Sequence, residues 1–450
     1  MTPIHRTPSG VRRPFASPIG LALVAAALAL VTGCAPGGRG DAAFSLREIT
    51  PAFLLSLEAR EPTLAADARG TVALAWVSRD SSGADVWLAV SRDSGASFST
   101  PTRVNVAPGR VKSFPEGRPA LALGSGGELA VAWSELRSVS TGAVDLRVRA
   151  SADFGRTFGG VTTVNDDAAG PPPGLTWRQL YRWTREHRGD AFHGFPALAF
   201  LADGSLLAAW LDDRKTPGPD VARLATLWHA LSSDGGQTWS ANLAVSDSAC
   251  PCCRVALAPA ADGSVALAYR DGSNDLRDPR LAMSRDGGGS FTTDTLVSRD
   301  GWNLPGCPDQ GPALAWDRPQ GGQYAWFTGA EPAGVYVARW RHDGHVAGLR
   351  RPVADSLVAA THPVAAGFGG GVLIGVESRA PDDSARRVFA VRALDAAGAW
   401  STWTFLGADA TSRVLAASGE RLAIAGWVEH EAGRTRLRLA AVTWTAGGRT

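Results

Sequence analysis

Net charge is what this chain most plainly lacks. Across 450 residues, 45 Lys plus Arg stand against 43 Asp plus Glu, a formal charge of +2. A surface so balanced excludes a protein that grips nucleic acid by bulk electrostatics. Charged residues make up only 20% and hydrophobic residues 45%, which fits a well-buried globular body and excludes intrinsic disorder. Lys is nearly absent: Lys112 and Lys215 are the only two. A skew of that kind follows codon composition, so a lone Arg says little about phosphate or carboxylate binding. Tyr is scarce as well, with 4 against 16 Trp, whereas Gly is abundant at 52. No apolar run is long enough for a permanent membrane span.

The first 33 residues read as an address. Arg12 and Arg13 precede an apolar run from Ile19 to Val31, followed by Val31-Thr32-Gly33-Cys34. This arrangement resembles a bacterial lipoprotein signal, which implies acylation of Cys34 and export to the cell envelope. Residues 34–43 then form a glycine-rich tether, and residues 44–450 form the body. The membrane contact expected is the lipid anchor alone.

Internal repetition is the strongest signal. PTLAADARGTVALAW (Pro62 to Trp76) recurs from Pro119, Pro196, Val255 and Pro312, with weaker copies from Pro363 and Arg413. Each copy spans two apolar strands around a turn, and in five a Gly sits eight residues in. A second motif, S-x-D-x-G-x-x-[F/W], follows the first four copies and carries Asp93, Asp153, Asp234 and Asp286. Its Ser and Asp oxygens suit the N–H groups of a tight turn, and its Gly suits a positive φ. Regular units of this length predict an all-β propeller of four-stranded antiparallel blades. Seven inner-strand pairs predict seven blades. The last unit lacks an outer strand, which Phe44 to Ile49 can supply to close the ring.

These residues resemble the Asp-box, or BNR, repeats of the sialidase superfamily, over essentially all of Phe44 to Thr450. The resemblance implies the same propeller, though with six blades as the alternative count, and it makes the four repeated Asp structural. It also implies that chemistry belongs on the opposite face, where the loops leading into first strands meet those leaving second strands. Exo-α-sialidase chemistry needs an Arg cluster for the substrate carboxylate, a carboxylic acid, and a Tyr–Glu nucleophile. The matching positions are Arg60, Arg118, Arg254, Arg270 and Arg379 for binding, Asp80 or Asp85 as the acid, and Tyr269 as the nucleophile. A long aromatic insertion with Trp177, Tyr181, Trp183 and His187 precedes Pro196. No Tyr follows Tyr336, although the family places its nucleophile late in the chain.

Cys250, Cys252 and Cys253 precede one first strand, and Cys307 precedes the next. In an exported chain they are expected to form two disulfides, with Cys307 bridging adjacent blades. A thiolate metal site completed by His193 or His362 is the alternative; otherwise no metal or cofactor is expected. Three functions remain open: hydrolysis of terminal sialic-acid-type glycosides, non-catalytic binding of glycan or protein through the same face, and a metal- or redox-linked role for the cysteines. The partner expected is a glycan or anionic sugar, and the chain is expected to act as a monomer.

Overall fold

Short strands with period-2 burial and turns at fixed intervals can only bury both faces by stacking sheet on sheet. The computed structural model does this seven times around a ring. It describes residues 44–444 except 115, 139–141, 169–173, 180–190, 216–223, 319–320, 354–356, 369–370 and 432. The signal segment, Cys34, Tyr181, Trp183 and His187 therefore lie outside the described residues. Seven four-stranded antiparallel sheets are present, so the chain has seven blades rather than six. No helix among the described residues is long and apolar enough to cross a membrane.

The innermost strands of blades 1 to 7 are Ala59–Ala66, Ala120–Leu123, His193–Phe200, Ala256–Pro259, Ala313–Arg318, Val358–Phe368 and Ala410–Ala417. Each packs against its neighbours on both sides, the seventh against the first. In blade 7 the innermost three strands end with Arg434–Trp444. Phe44–Glu48 adds the fourth, pairing antiparallel from Phe44↔Trp444 to Glu48↔Ala440.

The Val-Ala-Leu-Ala-Trp pattern explains how the blades nest. In the second strand of blade 1, Leu74 and Trp76 point toward blade 7, while Ala73 and Ala75 point toward blade 2. Blade 2 repeats the arrangement: Trp133 packs back on blade 1, and Ala130 and Ala132 receive Trp210 of blade 3. Trp326 of blade 5 likewise meets Ala266 and Ala268 of blade 4. Large side chains on one face fit the alanine-lined face of the preceding blade, as close packing requires. Trp76, Trp133, Trp210 and Trp326 are all buried.

The S-x-D-x-G turns share one geometry. The Gly95 N–H donates to Ser91 Oγ at 2.8 Å, and the Ser97 N–H donates to Asp93 Oδ1 at 2.8 Å. The same bonds recur around Asp153, Asp234 and Asp286. Hydrogen bonds to the charged carboxylate hold each of these four Asp down at about 2. The Ser94 N–H also donates to the Gly70 carbonyl at 2.8 Å, and the Phe154 N–H to Gly127 at 2.9 Å. These turns are thus locked onto the first hairpins on one face, which leaves the loops of the other face to vary.

Candidate functional site

The opposite face opens on the axis of the ring. A channel of about 220 Å³ runs between the seven innermost strands, lined mainly by Pro, Ala, Leu and Val, with Arg118 and Arg254 among its lining residues. Backbone strain concentrates where the chain turns into these strands. Glu61, Phe195, His362 and Ser412 have φ values of 52°, 53°, 50° and 47°, and each immediately precedes the first residue of its repeat. At all four the strand pairing is broken by a bulge. In blades 2 and 5 the left-handed residue comes two positions earlier, at Glu116 (φ 60°) and Asp309 (φ 53°). Non-glycine residues in this region are costly and persist where the surroundings enforce them, as bulges that re-aim side chains do.

Glu116 and His362 of these residues meet arginines of neighbouring blades at the mouth of the channel. Glu116 is the hub. Arg254 of blade 4 bonds its Oε2, Arg413 of blade 7 lies 3.2 Å from Oε1, and Arg118 of blade 2 lies 3.7 Å from Oε2. Arg413 also bonds Glu377 of blade 6. Arg118 Nη1 donates to the Arg413 carbonyl at 3.0 Å, and Arg254 Nη2 to the Pro363 carbonyl at 3.3 Å. Three guanidinium groups thus converge on a carboxylate that the protein itself supplies.

Proton affinities at the mouth follow from this crowding. Burial alone would raise Glu116, but Arg254, Arg118 and Arg413 outweigh it and hold Glu116 far below the usual carboxylate range. Burial, reinforced by Arg254, lowers Arg118 to about 9. Burial and Arg413 push His362 down to about 3, so its imidazole is neutral. Asp309 rises to about 6 through burial, reinforced by Glu116 and opposed by Arg254. Glu61 rises to about 7, also through burial, and its Oε1 accepts a 2.7 Å hydrogen bond from Ser113. Perturbed groups clustered in a cleft make the mouth the candidate functional site.

Of the arginines, acids and tyrosine named from the sequence as an active site, Arg118 and Arg254 stand in this cluster and the others stand elsewhere. Arg60 is half-exposed and pairs with Glu58 at 3.5 Å. Arg270 is buried and donates to the carbonyls of Gln310, Arg277 and Phe327. Arg379 donates to the Ala385 carbonyl at 3.1 Å, within its own hairpin. Asp80 caps an exposed turn at Ser82, and Asp85 accepts from Asn105 and Gly109. Tyr269 donates to Asp294 at 2.9 Å on the outer strand of its own blade, and burial raises its hydroxyl above its ordinary value.

The other described tyrosines are engaged too. Tyr324 donates to backbone carbonyls at 3.0 and 3.1 Å, and Tyr336 to Pro332 at 2.6 Å. Among the described residues, then, no tyrosine stands beneath the arginines. Arg413, Glu116, Glu377 and Asp309 are the site members that residue types alone did not select, and His362, named as a possible metal ligand, joins them at the mouth instead. Their common signal is position, at or within three residues of the start of a repeat, or near the end of a second strand.

The cysteines depart from two disulfides. Cys252 and Cys307 are bonded and join the loops before the first strands of blades 4 and 5. Cys250 and Cys253 are buried thiols with their sulfurs 3.3 Å apart. Neither histidine completes a metal site with them. His362 Nδ1 lies 2.9 Å from Thr361 Oγ1. His193 is sealed between blades 2 and 3, its Nδ1 2.6 Å from the Val144 carbonyl and its Nε2 3.0 Å from both Asp167 and Asp212. Burial opposes its charge, but Asp212 and Asp167 outweigh burial and raise it to about 10.

Comparison with known proteins agrees at the level of fold. An ulvan lyase bound to a GlcA(1-4)Rha3S saccharide is similar over 85% of this chain and 93% of its own, with a TM-score of 0.52 at 10% identity. The fold is a seven-bladed β-propeller. An α-L-arabinofuranosidase from Fusarium graminearum superposes with a TM-score of 0.47 at 14% identity, covering 87% of this chain and 94% of that one. Trypanosoma rangeli sialidase does so with 0.45 at 12% identity, over 73% of this propeller and 54% of its own chain. No protein-family model matches the sequence, and no curated protein matches it either.

Proposed function

We propose that this propeller binds an acidic saccharide at the mouth of its axial channel, as an exported, monomeric lipoprotein of the bacterial cell envelope. The convergence of Arg118, Arg254 and Arg413 carries the reading. Guanidinium is the side chain best suited to a carboxylate, because it donates in a planar fork. Glu116 and Glu377 balance two of the three positive charges. One charge is left over for a ligand once Asp309 and Glu61 are protonated. Affinity for an acidic saccharide therefore rises as pH falls through about 7 and about 6, the values of these two acids.

Glycoside hydrolysis of the sialidase kind is the second reading, and Asp309 favours it. A carboxyl near 6 is suited to protonating a leaving oxygen close to neutral pH. Calorimetric titration with free sialic acid, uronic-acid oligosaccharides and neutral analogues tests the binding. Arg254→Ala should weaken acidic ligands at least about tenfold, the loss of one charge-assisted contact, and leave neutral ones unchanged. If no acidic saccharide binds, or if Arg254→Ala and Arg413→Ala bind them like wild type, the proposal fails. Turnover of a fluorogenic sialoside that Asp309→Asn abolishes would establish the second reading.

A further inference from the structure

The four-cysteine cluster has no part in the mouth chemistry, yet its arrangement is unusual. Cys250-Pro-Cys252-Cys253 places a Cys-x-x-Cys pair, Cys250 and Cys253, around a cysteine that already belongs to a disulfide. The Cys250 sulfur lies 3.3 Å from that of Cys253 and 3.8 Å from that of Cys252. The sulfurs of Cys250, Cys252 and Cys253 all lie within 4.8 Å of one another. The cluster is layered as well: Cys250 and Cys253 are buried at 1% exposure each, Cys252 is half-buried, and Cys307 is exposed. A buried dithiol thus sits directly beneath a solvent-facing disulfide.

We propose that Cys250, Cys252, Cys253 and Cys307 form a thiol–disulfide exchange centre in which the disulfide moves between Cys252–Cys307 and Cys250–Cys253. The surroundings supply what the attacking sulfur needs. Thiolate is the nucleophile in such exchange. The hydrogen bond with Cys253 brings Cys250 down to about 7, and the buried guanidinium groups of Arg270 and Arg277 favour its charge further. Burial, with Cys250 alongside, keeps Cys253 a thiol.

In the first step the Cys250 thiolate attacks Cys252 Sγ. The Cys250–Cys252 bond forms as the Cys252–Cys307 bond breaks. The electron pair departs on Cys307 Sγ, which takes up a proton from solvent. Cys253 then attacks Cys250 Sγ as its proton passes to the departing Cys252, closing Cys250–Cys253 and releasing Cys252 as a thiol. One disulfide and two thiols exist before and after, so no outside oxidant or reductant is consumed.

The exchange unties two loops that matter elsewhere. Cys253 is followed at once by Arg254, and Asp309 lies two residues beyond Cys307. The two loops are packed so closely that a Cβ on Gly311 would come within 2.4 Å of the Arg254 carbonyl. Moving the disulfide into the blade 4 loop removes the covalent tie between them.

The test is to equilibrate the full chain in a glutathione redox buffer, trap free thiols with an alkylating reagent, and map the disulfides by peptide mass spectrometry. Wild type should yield both the Cys252–Cys307 and the Cys250–Cys253 linkages, with the label on the complementary pair each time. Cys253→Ser should accumulate Cys250–Cys252, with the label gained at Cys307. Cys253→Ala, which keeps the site apolar, is run beside it. Wild-type protein that shows only Cys252–Cys307 at every buffer ratio, with label confined to Cys250 and Cys253, overturns the proposal. So does protein isolated with all four cysteines as thiolates around a bound soft metal ion.

Discussion

Replacing Glu61 with Gln should stabilise the propeller at alkaline pH and do little in acid. Glu61 is buried, its Oε1 accepts from Ser113, and its Oε2 has no partner among the described residues. In the unfolded chain its carboxyl ionises near 4.5, whereas in the fold it holds its proton to about 7. Between those values the folded state binds more protons than the unfolded state, so stability falls as pH rises. The full penalty is present above 7. Each tenfold change in proton affinity is worth about 1.4 kcal/mol, so this carboxyl costs the fold about 3 kcal/mol at pH 8 and about 1 kcal/mol at pH 5. Glutamine keeps an acceptor for Ser113 and cannot ionise. Urea unfolding followed by tryptophan fluorescence, at pH 5 and pH 8, measures the difference between Glu61→Gln and wild type. A gain of equal size at both pH values, or a loss at pH 8, would refute the assignment of burial as the cause.

Three further outcomes follow from the packing. His193→Leu removes the buried imidazolium shared by Asp167 and Asp212, leaving Arg214 as the cation between them, and should cost about 3 kcal/mol in unfolding free energy; in wild type this stabilisation is complete below 6.5 and is lost only as pH rises through about 10. Trp210→Ala empties the pocket formed with Ala130 and Ala132 of blade 2 and should cost about 3–5 kcal/mol, read in the same assay. Tyr269→Phe removes the bond to Asp294 and should cost about 1 kcal/mol while leaving saccharide binding unchanged. Loss of binding in that variant would return Tyr269 to the site.

The fold was legible because it is written seven times. A single Val-Ala-Leu-Ala-Trp stretch fits a buried helix turn or a strand; seven in phase, four of them followed by S-x-D-x-G turns, fix strand, turn and blade together. The closing role of Phe44–Glu48 was legible by elimination, since the last blade ran out of chain. The site was less so. Arg118 and Arg254 could be named, but Arg270 looks equally suitable in sequence and spends its guanidinium on three carbonyls. What separates them is whether the backbone turns the side chain toward the axis, and residue identity does not announce that: left-handed Glu116 stands two residues before Arg118, whereas no such residue stands just before Arg254. Arg413 was hidden because its repeat begins with it, where five of the other six begin with Pro. The cysteine pairing was half legible, since proximity of the two loops followed from topology but the choice among three neighbouring thiols did not.

The ring closure also orders events during synthesis. Thr50 bonds Leu439 across 389 residues of sequence, just past the Phe44–Glu48 strand that completes the last blade. That strand is made before every other strand of the propeller and finds its partner last. Six blades can assemble from neighbouring segments while the chain is still being made, but the seventh waits for the first and last strands to meet, paying a long loop closure in one late step. Until then the outer edge of Arg434–Trp444 is unpaired, and open edges of this kind invite pairing with another chain. A nascent chain truncated anywhere in the final blade is therefore not a slightly smaller propeller but an open ring.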